Sequence, residues 1–453
     1  MRFLPPVPEH WNEQRAKVNF REVDERSRTG AEELLSVSHL TGVTPRSQKK
    51  ITMFKAASYV GSKLCRPGDI VINTLWAWMA ALGASKHAGI VSPAYGVYRS
   101  RKDGVFNPSY LDYLLRMRPY TAEYYGRSTG IRASRLRLYP DQFLDIPLLQ
   151  PPLLEQDQIV AYLRAQDVHI ARFIKAKRDL IALLTEQKLR IIDQAVTRGL
   201  DASVKFKHSG IEWLGEVPGH WEVKPLKRWV GLNKSALGEK TDPEFEFRYV
   251  DIGSVKTGRL AKELERMRFE AAPSRARRVL RRGDTIISTV RTYLKAIWYV
   301  NEDADDLIAS TGFAVLTPGS GVEPEYLGYV IQSSAFVNRV TANSIGIAYP
   351  AIAETVLGRF SVAMPPTVTE QQAIVAHIKL ESAPTDTAID QALSEITLIR
   401  EFRDRLIADA VTGQVDVRGW RPGSDDVVNE EVLAALGEDE SGSAEEEEGN
   451  GED

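Results

Sequence analysis

Two stretches of the chain carry the strongest hydrophobic periodicity. From about 154 to 198 there is no Gly or Pro, and apolar residues recur at Ile159, Leu163, Ile170, Phe173, Ile174, Ile181, Leu184, Ile191 and Ala195. Steps of three, four and seven mark one face of a helix. Gly199 follows where a C-terminal glycine would stop it. Forty-odd residues at 1.5 Å each make a rod of roughly 60–65 Å. A rod that long needs a partner along its length. A second stripe supplies one: Ile374, Ile378, Ile389, Leu393, Ile396, Ile399, Leu406 and Ala410, ending at Gly413. Pro384 interrupts it. Because proline lacks the backbone donor and crowds the preceding turn, a kink or short break is expected near 382–386.

Outside the rods the pattern changes. Short apolar runs after a Gly-Asp turn, at 69–73 and 284–288, predict strands, as does 313–316 before Thr317-Pro318-Gly319. Residues 110–116 and 326–333 predict short helices. These features recur in order. Val7-Pro8-Glu9-His10-Trp11 returns as Val217-Pro218-Gly219-His220-Trp221, and Arg66-Pro67-Gly68-Asp69 as Arg281-Arg282-Gly283-Asp284. Glu155-Gln156 returns as Glu370-Gln371, and Ala195-Val196-Thr197 as Ala410-Val411-Thr412. The offset is 210 at the first pair and 215 at the others. Two tandem copies of one module follow. The expected fold is α+β: two mixed globules, at 1–150 and 200–365, separated by two long antiparallel helices, at 151–199 and 366–414. The helices pack as a coiled-coil-like spacer with pseudo-two-fold symmetry, and an extension at 415–453 ends in a disordered acidic tail.

Charge sharpens this picture. The net charge of −3 hides an asymmetry: no Lys or Arg follows Arg421, while 13 acidic residues lie from Asp425 onward. The 58 basic residues therefore face 48 acidic ones in the body, an excess suited to a polyanionic partner. The single cysteine, Cys65, excludes an internal disulfide framework and fits a reducing cytoplasm. The opening reads as no signal peptide, and no apolar run is long enough for a membrane.

A search for chemistry returns little. There is no Gly-x-x-x-x-Gly-Lys phosphate loop and no convincing glycine loop for a methyl donor. Asn107-Pro108-Ser109-Tyr110 resembles a base-holding loop, but its counterpart Glu323-Pro324-Glu325-Tyr326 shares only Pro-x-Tyr-Leu, a proline-opened helix start. The seven histidines show no metal-ligand spacing, and His10 and His220 read as packing or capping residues. No metal or catalytic residue is expected.

The chain resembles the specificity subunits of type I restriction–modification enzymes. Residues 211–223, Ile-Glu-Trp-Leu-Gly-Glu-Val-Pro-Gly-His-Trp-Glu-Val, look like that family's domain-opening signature. Gly89-Ile90-Val91-Ser92-Pro93-Ala94-Tyr95 is similar to a strand of its recognition domains. The helix entries at 151–156 and 365–371 and the run Ala-Val-Thr-Gly-Gln-Val-Asp at 410–416 match its helix-flanking segments. The likeness covers about 5–420; Pro384 and the acidic tail depart from it. It implies a non-catalytic chain whose two target-recognition domains read the halves of a bipartite, asymmetric site in double-stranded DNA, with the paired helices as a ruler. Two copies of a modification subunit using S-adenosylmethionine would dock on it, and motor-nuclease restriction subunits using ATP and Mg would join them. The assembled complex would be an adenine methyltransferase and ATP-dependent endonuclease. The alternatives are a free-standing pseudo-dimeric DNA-binding regulator and a self-sufficient modification enzyme.

The repeat also separates candidate roles. Matching parts should hold identical partners; divergent parts, such as Leu75-Trp76-Ala77-Trp78 against Val290-Arg291-Thr292-Tyr293, should read different bases. Candidate DNA contacts are Arg46, Lys49, Lys50, Arg127, Ser128, Thr129, Gly130 and Arg132 in the first copy. In the second they are Arg275, Arg277, Arg278, Arg291, Lys295, Asn343, Ser344 and Gly346. Candidate spacer or partner positions are Glu155, Gln156, Ile159, Ile170, Ile174, Ile181 and Leu184, with Glu370, Gln371, Ile374, Ile389, Leu393 and Ile396.

Overall fold

The computed structural model describes residues 4–39, 41–48, 58–130, 136–347, 349–427, 430–433 and 436. The chain divides into two compact units, Met1–Asp179 with Ala392–Asp453, and Leu180–Gln391.

In the first unit, strands Phe20–Glu22, Gly96–Ser100, Ile70–Ile72 and Leu82–Ala84 lie side by side in that order, all antiparallel. A separate ribbon pairs Asn12–Arg15 with Pro147–Gln150. The second unit repeats this plan. Its sheet runs Val230–Leu232, Phe313–Pro318, Thr285–Ser288, Ile297–Tyr299, and its ribbon pairs Glu222–Pro225 with Ser361–Met364. The same local chemistry opens both central strands. Gly68 and Gly283 hold left-handed φ angles of 88° and 95°. The Asp69 and Asp284 carboxylates accept the backbone N–H of Arg66 at 2.9 Å and of Arg281 at 2.8 Å. A tight Asp-locked turn thus delivers buried apolar residues into the sheet.

Helices Pro108–Arg116 and Pro324–Gln332 occupy equivalent places, each with proline in its first turn. Asn107 caps the first by accepting from the N–H of Ser109 at 2.8 Å, and Tyr110 is fully buried. The Asn-Pro-Ser-Tyr run is therefore a helix start inside a core. The units diverge elsewhere. The second adds a mixed sheet of Glu265–Arg268, Glu246–Val250, Leu307–Ser310 and Ala276–Val279. The first instead has a hairpin, Leu35–Ser38 with Gly42–Pro45, and a two-stranded antiparallel pairing of Lys63–Cys65 with Gly89–Val91.

The two periodic stretches are helices of 46 and 44 residues, Leu153–Arg198 and Val368–Val411. In the first unit, Asp167 pairs with Arg403 at 2.6 Å and Lys177 pairs with Glu395. In the second, Lys188 meets Asp386 at 2.6 Å. In the first unit one partner's number rises as the other's falls, the mark of antiparallel packing there. Ile159, Ile170, Ile174, Ile374, Ile389 and Ile396 are buried, and Ile181, Leu184 and Leu393 half-buried. The stripe thus faces inward.

Of the kink or break expected near 382–386, the break does not occur: the helix runs through Pro384. The carbonyl that loses its donor belongs to Leu380, which is 73% exposed, so water can satisfy it. Buried Ile378 and Ile389 hold both sides in place. Beyond the helix, residues 415–427 fold back in the first unit, with Trp420 edge-on to Tyr162 and Asp426 2.7 Å from His169. The acidic run at 437–453 lies outside the described residues.

Candidate nucleic-acid interface

The helix entries prove to be internal anchors. Glu155 accepts the indole N–H of Trp11 at 3.1 Å and lies 2.8 Å from His10 Nε2; Glu370 accepts from Trp221 at 2.9 Å and lies 2.9 Å from His220 Nε2. Gln156, fully buried, accepts from the N–H of Asn107 and donates to the carbonyls of Val105 and Pro151. Gln371 does the same with Glu323, Gly321 and Pro365. Each Glu-Gln pair ties a domain's opening Trp and its proline-led helix to the start of a long helix. A side-chain amide is suited to this because it donates and accepts at once. These four residues hold the fold together from inside.

Two surface loops in each unit meet at the edge of the four-stranded sheet. In the second unit, a tight turn at Thr292–Leu294 links the central strand Thr285–Ser288 to the edge strand Ile297–Tyr299. Its Thr292 N–H donates to the carbonyl of Pro350 at 3.3 Å, and its hydroxyl donates to Ser344 Oγ at 2.8 Å. Ile345 and Ala351 bridge, closing the 343–351 loop, and Val290 bridges Ala351. In the first unit, the turn Ala77–Met79 holds the same place. Leu138 donates to the carbonyl of Thr74 at 3.0 Å, Thr129 bridges Arg137, and Trp78 packs edge-on to Tyr125.

The second-unit cluster is basic and apolar together. Arg291 lays its guanidinium over the Tyr349 ring, 4.9 Å from the centroid. Lys295 is exposed. Tyr293 is 53% exposed, and Ile345 and Ile347 point almost wholly to solvent. Asn343, Ser344 and Gly346 belong to this cluster, and Gly346 takes a left-handed φ of 119°. Arg275 joins it through one turn: its carbonyl accepts from Thr311, and the neighbouring Gly312 carbonyl accepts from Thr289. Cations that neutralise phosphates, beside apolar groups that can meet base edges, are what a duplex requires.

Other candidates are less available. Arg278 donates to Glu354 at 2.6 Å, and Arg277 donates to the carbonyl of Ala276 at 2.9 Å. Arg127 donates to Glu123 at 2.9 Å and lies 3.8 Å from Asp145. With Arg127 so paired, its loop offers Ser128, Thr129 and Gly130 at the rim. Arg46 sits apart, on the turn leaving the Leu35–Pro45 hairpin. Lys49, Lys50 and Arg132 lie outside the described residues. The sequence reading placed Tyr293 among the divergent positions but did not single out the exposed apolar tips Ile345, Ile347 and Tyr349. Burial cannot be read from apolar type alone, though two isoleucines flanking Gly346 between polar residues were a usable signal. Among the described residues no group of three or more His, Cys, Asp or Glu could hold a metal, and no helix is long and apolar enough to cross a membrane.

Compared with models of known protein families, the chain matches none. It is 22% identical over 180 residues to the type I restriction enzyme HindI specificity subunit of Haemophilus influenzae; the match spans 38% of this chain and 39% of that relative. A solved chain from work on complex assembly and conformational transition of the type I R-M system superposes with a TM-score of 0.53 at 16% identity. It covers 91% of this chain and 100% of its own. The HsdS subunit from Thermoanaerobacter tengcongensis is 17% identical over 90% of this chain and 98% of its own, with a TM-score of 0.39. The likeness in fold rests on the former. In sequence the chain resembles a type I specificity subunit over part of its length, and in fold it resembles a chain of a type I R-M system.

Proposed function

We propose that this chain is the DNA-reading specificity subunit of a type I restriction–modification complex, itself without catalytic chemistry. One observation carries the reading: a single topology occurs twice, with the same buried Trp–Glu and Gln anchors, while the loops at the sheet edge differ in side chains. Equal frames suit two identical partners; unequal tips suit two different half-sites. Each globule reads one half of a bipartite, asymmetric duplex site through its paired loops. The long helices set the gap between halves.

Equivalent positions on the two helices support the scaffolding role. Leu183 and Leu398, offset by 215, are 65% and 60% exposed. Large apolar side chains presented at matching points give two copies of a modification subunit the same purchase. S-adenosylmethionine, ATP and Mg belong to those partners and to the restriction subunits, and the complex acts in the cytoplasm. A free-standing regulator would have no use for the matched leucines.

Methylome sequencing of cells carrying the complex tests this. Replacing residues 1–150 with those of a relative should change one half-site only. Lengthening both long helices by one turn should change the gap and leave both halves intact. Unchanged motifs after the domain replacement would refute the reading.

A further inference from the structure

The two strand-linking turns share one pattern of backbone hydrogen bonds and differ in side chains. Asn73 donates to the carbonyl of Ala81 at 3.0 Å, and Ser288, at the same register, to Ala296 at 2.9 Å. Met79 donates to Trp76 as Leu294 does to Arg291, and Ala80 to Ala77 as Lys295 does to Thr292. Ala80 and Lys295 both hold left-handed φ angles, 64° and 50°. In that common frame Trp76 stands where Arg291 does.

Arg291 differs from Trp76 in backbone as well. Its φ and ψ are 51° and 47°, against −120° and 12° for Trp76. A left-handed arginine is strained, and such strain persists where a side chain must be aimed. The Tyr349 ring holds the guanidinium in place without neutralising it, so little freedom is left to lose on binding. Arg127 and Arg278, by contrast, already pair with carboxylates.

Resting on the specificity-subunit reading, we propose that Arg291 is the base-selecting residue of the second globule. It donates two hydrogen bonds to the N7 and O6 edge of one guanine in the major groove. Trp76, at the equivalent place, lacks a fork of donors, so the first half-site has no guanine read in this way. Guanine is distinguished in the major groove by two adjacent acceptors, N7 and O6, which a planar fork of donors meets together.

The test uses the full chain assembled with its modification partners. The native motif is established by methylome sequencing, and binding is then measured across a duplex library with each motif position varied. Arg291→Ala should lose roughly ten- to a hundredfold discrimination at one G·C pair, in one half-site only. Arg291→Gly should do the same while keeping the left-handed backbone without strain, and its melting temperature should not fall. An intact motif in both variants overturns the proposal. So does uniform weakening at every sequence, which marks a phosphate contact, and so does loss of folding in both variants, which marks a structural residue. If the native complex recognises no bipartite site at all, it is the specificity-subunit reading that fails.

Discussion

Trp221 donates its indole N–H to Oε1 of Glu370 across 2.9 Å, joining the first residues of the second globule to the first turn of the second long helix. Trp11 and Glu155 make the same bond at 3.1 Å. Each carboxylate also meets a half-exposed histidine that water can serve, so its loss strands the buried indole N–H alone.

Removing the carboxylate should therefore cost more than neutralising it. Glu155→Ala is expected to destabilise the first unit by about 1–3 kcal/mol, because the buried Trp11 N–H is left unsatisfied. Glu155→Gln keeps an acceptor for Trp11 and should cost less. Urea unfolding of both variants reads the difference; equal losses would show that the hydrogen bond contributes nothing.

The glycines that end the long helices should differ in sensitivity. Gly199 and Gly413 hold φ of 70° and 75°, so alanine is strained at both by about 1–2 kcal/mol. At Gly413 a Cβ would also stand 2.5 Å from Pro8 and 3.2 Å from Trp11, whereas at Gly199 the nearest atom, on Trp221, is 3.3 Å away. Gly413→Ala should lower the melting temperature more than Gly199→Ala, as measured by calorimetry.

Pro384 lies on the exposed side of a helix that is already continuous. Pro384→Ala restores one backbone donor and should raise stability by about 1–3 kcal/mol. If thermal unfolding shows no gain, local geometry has already relieved the proline.

The second unit should carry an acid-sensitive bond. Arg248 donates to Asp306 at 2.7 Å and holds its carboxyl below the usual range. A depressed carboxylate stabilises the fold above its unfolded value, near 4, and that contribution fades as pH falls through the folded value. The pair is partly exposed, so the effect is about 1 kcal/mol or less. Asp306→Asn should be less stable than the native chain at pH 7 and equal to it near pH 2. A constant difference across that range would place the effect elsewhere.

Much of the architecture was legible before any coordinates. Apolar steps of three and four drew both helices, Gly199 and Gly413 ended them, and the offset of 215 announced two copies of one globule. These are local signals, carried by neighbours along the chain. Of the kink or break that Pro384 suggested, the break is absent, because packing at Ile378 and Ile389 outweighs one missing donor.

What needed the tertiary structure was which polar residues are already engaged. Glu155 and Gln156 read as surface contacts until their partners, more than forty residues away, closed over them. Arg127, Arg278 and Arg291 are the same residue type in a list. Only the fold sets the first two against carboxylates and the third over Tyr349. The sequence by itself determined the repeat, the rods and the basic body, since periodicity and charge are properties of order along the chain. The availability of each arginine was decided by long-range contacts, because a charge is neutralised by whatever folding brings beside it.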